Sequence, residues 1–193
     1  MVANRGYNST STQTRIRLIE AASEILDEEG YPAFTARRIA SRAGVKPQLV
    51  HYYFRSMEDL VVTVFQRTSA NYFRLHDQAL SSPRPLHALW QLNCNMPEAR
   101  RIPEFVALGK VYPALRAEMK ASGYSYRELQ VQAIEKISAE LGITNPPMPA
   151  AALAALMSTV ARSMVIEGSV EMTMGHQEVS AFVEAMLDLY EPG

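Results

Sequence analysis

A single cysteine, Cys94, stands in a chain of 193 residues. It allows no disulfide within the chain and no zinc site built from cysteines, which fits a reducing compartment. An excess of one charge is also missing. The 19 Lys and Arg meet 20 Asp and Glu for a net charge of −1, so the whole chain has no pull toward polyanions. Any nucleic-acid role must rest on local charge. The longest strongly apolar run, Ala150 to Met157, is far shorter than the ~20 residues of a membrane span, and the polar start from Met1 to Arg15 lacks the apolar stretch of a signal peptide. No run alternates like a half-buried strand, and there is no internal repeat or low-complexity tract. What is present, 48% hydrophobic and 20% charged residues, suits a soluble globular protein and excludes wholesale disorder. The expectation is a cytoplasmic protein with no membrane partner.

Nearly every segment beyond the Ser-, Thr- and Asn-rich start follows a helical period. A first helix is predicted over about 14–29, with Leu18, Ile19, Ala22, Ile25 and Leu26 on one face and Gly30 as its stop. Thr35 is a good N-cap for a second helix carrying Ile39, Ala40 and Ala43 inward, ended by Gly44. A short third helix spans about 47–53, with Pro47 in its first turn. Ser56 and Asp59 resemble a capping box, which starts a fourth helix near Met57 that runs to about Leu80. Further helices are expected at 85–95, 100–109 and 113–141, the last with an interruption near Gly123. After the Pro-rich break at 145–149 come two more. One carries Leu153, Leu156, Met157, Val160, Ala161 and Met164; the other carries Val179, Phe182, Val183, Met186, Leu187 and Tyr190. The fold class is all-α, about nine helices.

The segment from Thr35 to Arg55 contains Arg37, Arg38, Arg42, Lys46 and Arg55 and no carboxylate, while acids flank it at Asp27, Glu28, Glu29 and at Glu58, Asp59. Two short helices joined by Ala43-Gly44-Val45 fit a helix-turn-helix, whose second helix enters the DNA major groove while the first crosses the backbone. The exposed face of helix 3 would offer Lys46, Gln48, His51 and Tyr52, with Leu49, Val50 and Phe54 inward. Gln pairs bidentately with adenine, and Lys with guanine or phosphate. Arg37 and Arg38 are placed for phosphate contacts. Taken alone, such a basic run also fits a solvated helical face, and a Gly turn also joins helices that bind no DNA.

Residues 15–60 resemble the N-terminal domain of the tetracycline-repressor (TetR) family of bacterial transcription regulators. The resemblance is carried by Ile19-Glu20-Ala21-Ala22, by Leu26 through Gly30, by Phe34-Thr35-Ala36-Arg37-Arg38-Ile39-Ala40, by Ala43-Gly44-Val45, and by the string His51-Tyr52-Tyr53-Phe54-Arg55-Ser56-Met57-Glu58-Asp59-Leu60. With the Ser-, Thr- and Asn-rich start (1–13) read from its composition as a flexible arm, it implies a three-helix DNA-binding domain (14–56) and a C-terminal helical ligand-binding and dimerisation domain (57–193). Double-stranded DNA, a second copy of the chain and a small-molecule effector are the implied partners. The DNA-facing set is Thr35, Arg37, Arg38, Lys46, Pro47, Gln48, His51, Tyr52 and Arg55. Two positions depart from the family: His51 stands where it usually has Tyr, and Met57 where it usually has Lys. Losing a cation at Met57 removes about one phosphate's worth of salt dependence.

The resemblance further implies a homodimer through the last two helices, here Leu153, Leu156, Val160, Met164, Val179, Phe182, Val183 and Met186, reading an inverted-repeat operator as a repressor. It implies an effector pocket with Tyr72, Phe73, His76, Trp90, Cys94, Phe105, Tyr112, Met119 and Met157 as candidate wall residues, each of which also fits plain core. An apolar and aromatic wall predicts a mostly apolar effector. The competing class, an enzyme, finds no support in the residues. The histidines His51, His76, His87 and His176 form no His-Glu-x-x-His, and no phosphate-cradling loop or nucleophile elbow is present. No cofactor or metal is expected. The alternative within the same fold is a helical interaction or ligand-binding module with a weakened head.

Overall fold

The structure, a computed structural model, describes residues 5–191. Among them are nine α-helices and no strand: α1 (Arg5–Glu28), α2 (Ala36–Arg42), α3 (Gln48–Tyr53), α4 (Met57–Leu80), α5 (Pro85–Cys94), α6 (Ile102–Gly109), α7 (Pro113–Glu140), α8 (Ala150–Gly168) and α9 (His176–Asp188). Short 3₁₀ turns lie at Tyr31–Ala33 and Pro97–Arg101. The all-α expectation holds, with three differences in detail. α1 begins at Arg5, so residues 5–13, expected as a flexible arm, extend the first helix. Ser and Thr are mediocre helix formers, but propagation from an existing helix adds one hydrogen bond per residue fixed. α7 runs unbroken through Gly123, because one glycine costs only about 1 kcal/mol in a helix interior. α8 stays helical and apolar to Gly168, well past the run Ala150 to Met157, and by length and hydropathy alone it could cross a membrane. Its Leu153, Ala154, Met157 and Ala161 are instead packed in a core.

The chain forms two compact units. The first comprises the segment up to Ser69 together with Arg101–Met119, and the second Ala70–Arg100 with the segment from Lys120 onward. A division at 56/57 was expected.

In the first unit, the apolar face of α1 (Leu18, Ile19, Ala22, Ile25, Leu26) packs on Ile39 and Ala40 of α2, Val50 of α3, Phe54, and Leu60, Val61 and Val64 of α4. Phe105, Leu108 and Leu115 close the same cluster, with Phe105 edge-on to Phe65 at 5.2 Å. Carboxylates pin the rest. Glu104 accepts the Tyr31 N–H at 2.6 Å, Glu58 accepts the Ala114 N–H in the first turn of α7 at 2.7 Å, and Asp27 pairs with Arg101. An acid at a helix N-terminus meets otherwise unpaired N–H groups and the positive end of the helix dipole.

In the second unit, Leu86, Leu89 and Trp90 of α5 pack against Ile134 and Ile137 of α7, Leu153, Met157 and Ala161 of α8, and Val183 and Leu187 of α9 with Tyr190. The buried Glu191 carboxylate accepts the Leu86 and His87 N–H groups at 2.8 and 3.2 Å, capping α5.

This core corrects part of the dimer expectation. Leu153 (0% exposed) and Val183 (1%) are buried within their own chain, and so are not available to a partner. The broad apolar stripes of α8 and α9 are divided between two faces. Val179 and Phe182 remain exposed, and Leu156, Val160, Met164 and Met186 are half-buried.

Candidate nucleic-acid interface

The geometry of the head begins with its caps. The Thr35 side chain accepts the Arg38 N–H at 3.3 Å, so α2 starts where its N-cap requires. Gly44 takes φ of +66° with no atom within 4 Å of where a Cβ would stand. The turn therefore needs glycine for its backbone conformation, not for space. The Val45 N–H closes the turn on Ala40 O at 2.9 Å. Ser56 Oγ accepts the Asp59 N–H while the Asp59 carboxylate accepts the Arg55 N–H, both at 3.1 Å, which fixes the start of α4.

On this frame all nine residues of the expected DNA-facing set are exposed: Thr35, Arg37, Arg38, Lys46, Pro47, Gln48, His51, Tyr52 and Arg55. Val50 and Phe54 are buried on the opposite side of α3, and Leu49 is half-buried. The two tyrosines part company. Tyr52 is 72% exposed, whereas Tyr53 packs on the core cluster, and their rings meet edge-on at 5.0 Å. Arg15 of α1, which sequence reasoning did not single out, lies over the Phe54 ring at 5.0 Å.

The cations of this face fall into two groups. Arg38 grips Glu29 with two parallel bonds of 2.8 Å. Arg42 binds Glu28 at 2.7 Å, Glu29 at 2.9 Å and Glu24 at 3.3 Å. The hydrogen bond from Arg42 holds the Glu28 carboxyl below the usual carboxylate range, and that from Arg38 does the same for Glu29. Both guanidiniums are correspondingly raised. The acids read in the sequence as flanking the basic segment are thus folded back onto two of its arginines, clamping α2 to the end of α1. Among the described residues, Arg37, Lys46 and Arg55 enter no ion pair.

The effector candidates divide between the two units. Tyr72, His76, Trp90, Cys94 and Met157 belong to the second, while Phe105 and Tyr112 belong to the first, in the cluster that also supports the head. The second unit adds three residues not anticipated from sequence. Tyr72 donates to the Asn93 carbonyl, Tyr126 donates to the same oxygen at 3.1 Å, and Gln130 donates to Tyr126 Oη at 2.8 Å. Tyr72 and Tyr126 rings lie 4.5 Å apart. Burial pushes the Tyr126 phenol up to about 12 and the Cys94 thiol up to about 11, and lowers His76. Among the described residues, no group of three or more His, Cys, Asp and Glu is arranged to hold a metal ion.

Residues 18–64 match the family model for bacterial regulatory proteins of the tetR family. That segment is the one that holds the capped helix-turn-helix just described. Among curated relatives, the transcriptional regulator BetI of Rhizobium meliloti is 34% identical over 68 residues, 35% of this chain and 32% of its own length. The chain spans a third or less of the length of the curated relatives it matches. Solved structures extend the likeness to the whole fold. FadR of Bacillus subtilis, solved with stearoyl-CoA, superposes with a TM-score of 0.67 at 16% identity, covering 92% of this chain and 98% of that one. A protein of Saccharomonospora viridis solved with choline gives 0.74 at 20% identity, covering 90% and 96%.

Proposed function

We propose that this chain is a sequence-specific DNA-binding transcription regulator, acting as a homodimer on an inverted-repeat operator, with a small and mostly apolar effector as its signal. The observation that carries the reading is the exposed, acid-free face of α3, held by a buried Val50 and Phe54 and a capped turn. In this role Gln48 and His51 address base edges, while Arg37, Lys46 and Arg55, with Thr35, Pro47 and Tyr52, position the head on phosphates and sugars. Arg38 reaches phosphate only by releasing Glu29. Dimerisation uses the exposed edge of α8 and α9, centred on Phe182 and Val179. Two half-sites then lie ~34–36 Å apart on one face of the duplex. The neighbours solved with stearoyl-CoA and with choline support a small-molecule ligand; the proposal places it in the second unit and takes repression in the cytoplasm as the mode.

The test is a titration of a 30-base-pair duplex across salt concentrations. Binding whose log affinity falls steeply with log salt, at several phosphates' worth of slope, supports the reading. A slope near zero, or no binding at low salt, favours the interaction module with a weakened head, for which His51 and Met57 are the motivating departures.

A further inference from the structure

Three polar side chains in the second unit are each more than nine-tenths buried, and each leaves one atom without a hydrogen-bond partner among the described residues. They are His76 Nε2 (residue 2% exposed), Asn93 Nδ2 (7%) and Gln130 Oε1 (1%). All three surround one ring. His76 lies edge-on to Tyr126 at 5.1 Å, Asn93 Oδ1 accepts from Tyr126 at 3.1 Å, and Gln130 donates to Tyr126 at 2.8 Å. Tyr72, Phe73 and Tyr126 beside them are only half-buried. A buried polar group left unpaired costs about 1–3 kcal/mol, so three such groups at one place are a standing penalty that a bound molecule would relieve. Turning either amide changes which of its atoms is left over, not that one is left over.

We infer that this cluster recognises an uncharged polar group, a carboxamide or hydroxyl that both donates and accepts, on a small apolar body. The inference deepens the reading of the second unit as an effector domain and rests on it. Asn93 Nδ2 supplies a donor, Gln130 Oε1 an acceptor, and the neutral imidazole of His76 serves as either. While Gln130 donates to Tyr126, as the structure has it, a carboxylate would meet its Oε1 lone pair against lone pair. A cation would find no carboxylate among these side chains. The charges that bear on the two phenols are those of Arg127 and Arg162, which repel it. Asp77 is the acid that acts on His76, and burial outweighs it.

The experiment uses four probes with one body: cyclohexanecarboxamide, cyclohexanol, cyclohexanecarboxylate and cyclohexylammonium. Each is titrated into the full chain labelled at its histidines, without DNA, and the His76 ring signal is followed by NMR. The amide or the alcohol should shift that signal saturably. The double variant Asn93→Leu, Gln130→Leu, which replaces the unpaired amides by apolar groups of similar size, should weaken binding at least about tenfold. The inference is overturned if the carboxylate or the ammonium binds as tightly as the amide, if no probe moves the His76 signal so that the site holds only water, or if the double variant binds unchanged. Because DNA is absent, a failed operator reading leaves this result intact, and the reverse is also true.

Discussion

Arg37 and Arg38 are adjacent, both exposed, and both in the first turn of α2, yet the structure holds them differently, so the proposed DNA contact predicts different behaviour for each. Arg37 enters no ion pair among the described residues, while Arg38 is forked onto Glu29 by two bonds of 2.8 Å. A phosphate that binds a free guanidinium releases about one condensed counterion, and each such contact contributes ~0.9 to the slope of log affinity against log salt. Arg37→Ala should therefore flatten the slope by ~0.9, so that its penalty relative to wild type shrinks roughly 3.5-fold between 50 and 200 mM salt. Arg38 is already neutralised internally, and Arg38→Ala should change the slope by less than about a third of that. Glu29→Gln supplies the converse. It frees Arg38 and removes a negative charge, so the slope should steepen by up to ~0.9. Fluorescence anisotropy with one labelled duplex reads all three variants. Equal flattening by Arg37→Ala and Arg38→Ala, or an unchanged slope in Glu29→Gln, would refute the distinction between the two arginines. The pH dependence has a definite sign. Glu28 and Glu29 are lowered by their arginines, so the clamp is complete above the ordinary carboxylate range and is lost only as pH falls through their depressed values.

Other outcomes follow from single contacts. Gln48→Ala should change base preference at one position per half-site by ~1–3 kcal/mol, read by binding to a panel of single-base variants. Phe54→Ala removes a ring that is 1% exposed and should destabilise the head by ~3–5 kcal/mol in urea unfolding, with operator affinity lost alongside. Phe182→Glu places a charge on a side chain 62% exposed; sedimentation should show a shift toward monomer while helix content is kept, whereas an unchanged dimer would move the interface elsewhere. Burial lowers His76, so the unfolded chain binds the extra proton first. Stability of the second unit should fall as pH drops below about 6.5, and His76→Leu should lessen that fall in paired denaturation curves.

Local chemistry was legible in the sequence where it acts over a few residues. Thr35, Ser56 with Asp59, Gly44 and the Pro149 break mark helix ends, and the helices begin and stop within a few residues of those signals. The outward set on α3 was legible for the same reason: a six-residue helix with Val50 inward, followed by the buried Phe54, leaves Gln48, His51 and Tyr52 outward. Interactions that depend on helix crossing were not legible. Glu24, Glu28 and Glu29 look like a solvated acidic end of α1 until the angle between α1 and α2 brings them onto Arg42 and Arg38. The stripes of α8 and α9 were read as one face each. A period of 3.6 spreads such residues over more than 100°, enough to serve two neighbours, and only packing shows that Leu153 and Val183 take the inner share. The cluster around Tyr126 joins Tyr72 and His76, Asn93, and Tyr126 and Gln130 from three helices. Only the i, i+4 spacings of Tyr72 with His76 and of Tyr126 with Gln130 hinted at shared faces.

The central claim is that the head reads DNA sequence as a symmetric pair. It is tested most directly by selecting random duplex DNA with the purified full chain and sequencing what is retained. An inverted repeat with half-sites about one helical turn apart, or a multiple of it, should be enriched, and Gln48→Ala should relax the preference at one position of each half-site. Retained DNA with no common sequence, or an enriched site without symmetry, would contradict it.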